Sequence, residues 1–245
     1  MTMSRHNNID HTTWGFSGEL PPERFNMARY VVGLAAQHSP GKVALIVFDT
    51  PDASQPAEQW TFSEIETAVL RIAHALRARG LAKGERVLIR LDNTSAYAFF
   101  FFGAIAAGLV PLATSTHLTD DEANFLITDS GARAVALADH LPRQRLPSGI
   151  EIISAHDVAA MIGSGEPQDY ADTRADDPAY MVYTSGTTAN PKGVLHAQRA
   201  AWGRRPMYQG WYGITPDDRM LHAGAFNWTF TLGSGLTDPW ANGAT

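Results

Sequence analysis

The chain is predicted to fold as an α/β protein, with layered, mostly parallel sheets and flanking helices. Short apolar runs of strand length recur, at Val43 to Phe48, Val87 to Leu91, Ala134 to Ala138 and Ile150 to Ile153. Segments with helical spacing or unbroken apolar character alternate with them. A tract rich in glycine, proline and aspartate, Gly163 to Pro178, then delivers the chain to a further apolar run at Tyr180. Strands that alternate with helices in this way imply crossover connections and hence a parallel sheet.

Taken in order, Val43 to Phe48 is continuously apolar, as expected of a strand buried on both faces. Thr61 and Glu64 form a capping-box pattern, in which a hydroxyl and a carboxylate satisfy the first free N–H groups of a helix. Ile65, Val69, Ile72 and Leu76 then fall on one helical face, and Gly80 is a natural stop. Val87 to Leu91 reads as a strand and is followed by an apolar helix from about Tyr97. Asp120 to Asp129 reads as helical, and Ala134 to Ala138 and Ile150 to Ile153 as short buried strands.

Thr94 to Leu118 contains no lysine, arginine, aspartate or glutamate, and Phe99 to Phe102 are four consecutive phenylalanines. The stretch is long enough to cross a bilayer. Gly103, Gly108 and Pro111, polar ends and the lack of flanking basic anchors favour a buried helix that runs into a buried strand near Leu109.

The chain has 245 residues, of which 44% are hydrophobic and 18% charged, with a net charge of −6. That is enough apolar material for one to two domains. Nucleic-acid binding is disfavoured, because the only basic cluster is Arg204-Arg205, a pattern more typical of a solvated helix face. The absence of cysteine excludes disulfides, thiolate nucleophiles and zinc ribbons. No two of the nine histidines stand at metal-ligand spacing on a helix. Met1 to Phe16 is polar and lacks an apolar signal region, so a cytoplasmic location is the default expectation.

The most informative stretch is Tyr180 to Val194, Tyr-Met-Val-Tyr-Thr-Ser-Gly-Thr-Thr-Ala-Asn-Pro-Lys-Gly-Val. An apolar strand ends in a loop dense in hydroxyls and glycine, at the carboxyl end where parallel sheets bind ligands. Glycine lets backbone N–H groups close on phosphate oxygens. Thr184, Ser185, Thr187 and Thr188 add hydroxyl donors, and Lys192 adds a positive charge. This is the chemistry a triphosphate requires. It is not the P-loop of phosphotransferases, because Pro191 precedes the lysine and Gly193 follows it, where that motif has glycine and a magnesium-binding hydroxyl.

Tyr183 to Val194 resembles the phosphate-loop signature of the adenylate-forming superfamily, which comprises acyl-CoA synthetases, luciferases and the adenylation domains of peptide synthetases. The match fails only at Ala189, where the family has glycine, and Ala189→Gly is expected to preserve or improve nucleotide binding. The resemblance extends from about Val43 to the end, through the capped helix at Thr61, the Lys83-Gly84-Glu85 turn and the Gly108 to Leu118 segment.

It implies that a carboxylate is joined to ATP, that pyrophosphate leaves, and that the acyl group passes to a thiol, usually CoA. It further implies that Thr184, Ser185, Gly186, Thr187, Thr188 and Lys192 hold the β- and γ-phosphates. ATP, Mg2+ and CoA would be the cofactors, with Thr187 on the metal, and a small carboxylic acid the other partner. A homodimer is left open.

A second informative region, Leu221 to Thr245, holds His222, Phe226, Asn227, Trp228 and Thr229, then Leu232-Gly233, then Asp238-Pro239-Trp240. In the family, an aromatic segment at this distance from the phosphate loop lines the acyl pocket. By position His222, Phe226, Asn227 and Trp228 are the candidate acid-binding residues, with Trp228 equally readable as core and Trp240 better read as core. Flat aromatic faces suit an aromatic or cyclic acid. The run Phe-Asn-Trp-Thr-Phe-Thr-Leu-Gly followed by Asp-Pro-Trp resembles the benzoate-type CoA ligase branch.

The family's adenine-binding segments, magnesium-linked glutamate, ribose-binding aspartate, hinge and adenylation lysine do not occur before Thr245. Residues 1–245 are therefore expected to be the N-terminal part of the large AMP-binding domain, without the C-terminal domain. The competing expectation is a catalytically silent fragment that binds nucleotide or a protein partner.

Overall fold

The computed structural model describes residues 18–50, 54–184 and 191–245. A π-helical stretch, Arg29–Gly33, runs into α1, Leu34–His38. Two strands, β1 (Val43–Val47) and β2 (Glu58–Thr61), lead to α2 (Phe62–Ala78). Then follow β3 (Arg86–Arg90), α3 (Ser95–Ala106), β4 (Val110–Ala113), α4 (Asp120–Ser130) and β5 (Ala134–Leu137). After these come β6 (Glu151–Ser154), α5 (Ala155–Gly163), β7 (Pro178–Thr184) and β8 (Lys192–Ala197).

The main sheet has six strands in the order β6-β5-β3-β4-β7-β8. All neighbours are parallel except β8, which returns antiparallel beside β7. The expected α/β architecture is what the structure shows.

Strand alternation explains why helices cover both faces. Val87 and Ile89 of β3 and Ala134 and Ala136 of β5 pack with α2, α3 and α5. Leu88, Leu112, Val135 and Leu137 turn the other way, onto Leu126 and Ile127 of α4. The central helix α3 is buried all round, and each of Phe99 to Phe102 has no exposed surface. It spans only Ser95–Ala106 before Gly108 turns the chain, at φ +78, into β4. Among the described residues no helix is long and apolar enough to cross a membrane.

Three helices begin with complete capping boxes. The Thr61–Glu64 box is the one singled out from the sequence; Thr119–Glu122 and Ser154–Asp157 repeat it at α4 and α5. In each, the threonine or serine oxygen accepts from the third backbone N–H while the carboxylate accepts from the cap's own N–H. These bonds hold the Glu64, Glu122 and Asp157 carboxyls below their ordinary values.

Three expectations are corrected. The Val43 to Phe48 run is not a strand buried on both faces. β1 pairs only with β2, in a separate antiparallel ribbon, and Phe48 is exposed. Its apolar residues cover a flank of the molecule: Ala44 accepts a hydrogen bond from the Trp240 indole at 2.9 Å.

Lys192 and Gly193, expected to close the loop, already belong to strand β8, in which Val194 and Leu195 continue the ladder opposite Val182 and Met181. The Arg204-Arg205 pair is not a solvated face. Arg204 bonds the fully buried Asp238, and the Arg205 guanidinium lies 4.1 Å from the centre of the Trp202 ring.

Candidate nucleotide and acid site

The β7–β8 hairpin positions Thr184 and Lys192, the two candidate phosphate-binding residues that are described. Thr184 is the cross-strand partner of Lys192, so its hydroxyl and the lysine ammonium stand on facing strands at the mouth of the loop. Ser185, Gly186, Thr187, Thr188 and Ala189 lie outside the described residues. Gly193 lets the strand and its neighbours approach closely: a β-carbon there would lie 3.1 Å from Met181 Sδ and 3.2 Å from Tyr183 Cζ. Tyr183 anchors the hairpin on α4, its hydroxyl donating to Asp129 Oδ2 at 2.7 Å. Burial and then the Asp129 carboxylate push this phenol up, so it stays a donor near neutrality.

Beside this mouth, at the carboxyl ends of β4 and β7, lies a cavity of about 610 Å3 lined by Thr114, Ser115, Phe125, Tyr183, Thr184 and Asn227. A second cavity, of about 310 Å3, covers the ends of β3 and β4; Asn93, Tyr97, His117, His140, Phe226 and Asn227 line it. The chain leaves β3 into α3 on one face and β4 into α4 on the other. The second cavity therefore occupies the crevice where connections diverge, the usual ligand position in open parallel sheets. Asn227 borders both spaces.

The candidate acid residues are placed unequally. Phe226 is half-buried and stacks on Tyr97, with ring centres 5.5 Å apart and planes at 24°. Its backbone N–H donates to Asn93 Oδ1 at 2.9 Å. Tyr97 is buried and donates to the Thr114 carbonyl at 3.2 Å, and burial pushes its phenol far up.

His222 sits on the other side of Phe226, in a third cavity of about 290 Å3 with Leu45, Thr231, Gly235 and Trp240. Its Nδ1 accepts from the Gly224 N–H at 3.1 Å, so the neutral ring carries its proton on Nε2. Trp228 is 67% exposed and borders none of these three cavities. Trp240 is core, 2% exposed.

The structure thus brings Thr184, Asn227 and Phe226 around adjoining spaces, with His222 behind Phe226. Tyr97, Asn93 and Ser115 were not singled out in the sequence. Tyr97 is hidden in an apolar run, whereas Asn93 carries a usable signal, a polar residue just beyond a strand's carboxyl end.

A mostly parallel sheet of this order, with cavities at the carboxyl ends of its strands, defines an open α/β protein with the usual ligand crevice of that class. The chain belongs to the AMP-binding enzyme family, whose model matches residues 34–245. It is 31% identical over 238 residues to the benzoate–CoA ligase of Thauera aromatica, covering 91% of this chain and 44% of that enzyme. It is also 31% identical over 247 residues to a 4-hydroxybenzoate–CoA/benzoate–CoA ligase of Rhodopseudomonas palustris, covering 92% and 43%.

Among solved structures, a benzoate CoA ligase from Burkholderia xenovorans matches with a TM-score of 0.78 at 30% identity, over 90% of this chain and 44% of that one. An anthranilate CoA ligase in complex with anthranoyl-AMP shares the fold, with a TM-score of 0.80 at 23% identity, over 92% of this chain and 44% of that one. The chain therefore spans less than half the length of these relatives.

Proposed function

We propose that the chain takes part in ATP-dependent activation of an aromatic or cyclic carboxylic acid, first to an acyl-adenylate and then to an acyl-CoA thioester. The observation that carries this reading is the facing pair Thr184 and Lys192, which brackets the phosphate-loop sequence beside the 610 Å3 cavity. A threonine hydroxyl and an ammonium at one loop mouth suit β- and γ-phosphate oxygens. Ser185, Gly186, Thr187 and Thr188 are proposed to complete that cradle, with the Thr187 hydroxyl on Mg2+, which neutralises triphosphate charge.

The acid is proposed to lie against Phe226 and Asn227, with His222 behind. Phe226, held by Asn93 and Tyr97, offers a fixed aromatic face. The aromatic acids named for the relatives support this class of substrate. When ATP is bound, Lys192 would offset charge that builds on the phosphates as the carboxylate oxygen attacks the α-phosphorus and pyrophosphate departs.

The test is carboxylate-dependent ATP–pyrophosphate exchange with benzoate-class acids, in this chain and in any longer product of the same reading frame. Exchange that needs the acid and falls in Lys192→Ala more than acid binding does supports the reading. ATP binding with no exchange in either form supports a silent nucleotide-binding protein instead.

A further inference from the structure

The sequence Thr-Leu-Gly-Ser-Gly-Leu-Thr forms a buried π-helical stretch, Thr231–Thr237, continued by the short helix Asp238–Ala241. Arg204, from the 3₁₀ turn Trp202–Arg204 beyond β8, reaches this element from one side. Its Nε donates to Asp238 Oδ1 and its Nη2 to Asp238 Oδ2, both at 2.6 Å. Asp238 has no exposed surface; burial pushes its carboxyl up, and the Arg204 bonds and charge work against that push. Ser234 lies near the same guanidinium and meets the Tyr212 hydroxyl.

Two glycines show how closely the helix is clamped. A β-carbon on Gly233 would lie 2.6 Å from Arg204 Cζ, and one on Gly235 would lie 2.6 Å from His222 Cγ. Residues two apart point to nearly opposite sides of a helix. The guanidinium therefore presses on one side and the imidazole on the other.

We infer that the Arg204–Asp238 ion pair is a positioning element for His222: it holds the helix against which the imidazole rests, and so ties the phosphate-loop hairpin to the wall of the acid site. The part of this that concerns an acid rests on the reading proposed above; the placement of His222 stands by itself. A buried ion pair contributes little stability beyond an apolar pair of similar volume. Its planar, two-bond geometry instead fixes orientation, which an apolar pair does not. Stability and positioning can therefore be separated by mutation.

The experiment uses the 245-residue chain with 15N-labelled histidine, the His222 signals assigned with His222→Gln. At pH 8 the wild-type His222 is expected to show a single tautomer, protonated on Nε2. The double variant Arg204→Met with Asp238→Leu is expected to melt within a few degrees of wild type yet show mixed His222 tautomers. Arg204→Lys, which keeps the charge and loses the fork, is expected to show the same mixture and decides the matter if the double variant does not fold.

Where the wild type binds benzoate, these variants are expected to bind it about tenfold more weakly. A His222 tautomer unchanged in the folded variants overturns the proposal, and unchanged benzoate affinity alongside an altered tautomer overturns its tie to the acid site. If neither this chain nor a longer product of the same reading frame binds benzoate, the acid reading fails, and the tautomer measurement still decides the positioning claim.

Discussion

Two buried helices of this molecule are held by opposite means. α3 is apolar on every side, and its position follows from removing ten consecutive residues, Tyr97 to Ala106, from water. The Thr231–Thr237 stretch is just as deep but is built of glycine, serine, threonine and leucine. It is located by directional contacts: the Arg204–Asp238 fork, the Ser234–Tyr212 contact and a Thr237 hydroxyl donating to the Leu232 carbonyl at 2.6 Å. Burial is non-directional and tolerates exchange of one apolar shape for another. A hydrogen-bonded ion pair does not tolerate the loss of one partner, and an apolar replacement of both keeps stability but not orientation. Of the two, the element beside His222 is thus the one whose geometry is set more narrowly.

The comparison is broken most strongly by truncation. Phe100→Ala in α3 is expected to cost about 3–5 kcal/mol in urea unfolding, whereas Phe100→Leu, which keeps an apolar side chain and leaves a smaller cavity, costs clearly less. A similar loss in both would mean that α3, too, depends on specific shape. Arg204→Ala is expected to cost about 3–5 kcal/mol near neutral pH, because it strands the Asp238 carboxylate in the core.

The pH dependence of that second loss follows from linkage. With the Asp238 pKa raised above its unfolded value, the variant is most stable below the unfolded value and loses stability as pH rises through the folded one. The deficit should therefore be larger at pH 8 than at pH 5, and a pH-independent deficit would contradict the ion-pair account.

Gly233→Ala brings a methyl to 2.6 Å from Arg204 Cζ and is expected to cost about 1–3 kcal/mol by overpacking. The same substitution in an Arg204→Ala background should cost less, since the obstructing group is gone; equal costs would place the strain elsewhere.

At the small end, Thr61→Ala removes the cap of α2 and is expected to cost about 1 kcal/mol. The capping carboxylates, held below their ordinary values, contribute stability above those values that is lost as pH falls through and below them. Trp228→Ala, at an exposed position, should alter unfolding by less than about 0.5 kcal/mol.

Much of the architecture was legible because local rules and burial agree. The Thr61–Glu64 box, the stop at Gly80 and the short apolar runs mark α2, β3 and β5 within a residue or so. Val43 to Phe48 misled because an apolar run records that a segment is covered, not by what. Its cover comes from a two-stranded ribbon and the Trp240 indole, far off in sequence. α5 was missed, although its Ser154–Asp157 box was present to be read. Around the site, the phosphate-loop residues were visible as a motif, while Tyr97 and Asn93 were not, since their role depends on Phe226 folding onto them.

The sequence by itself determined the family, the alternation of strands and helices, and the place of the hydroxyl-rich motif after β7. Those depend on residue order and on local capping and periodicity, which a chain carries before it folds. Tertiary structure alone decided that Arg204 turns inward to Asp238, that Trp228 faces solvent while Phe226 stacks on Tyr97, and that Gly233 and Gly235 receive side chains from opposite sides. Each of these joins residues distant along the chain, and which distant groups meet is settled only by how the layers pack.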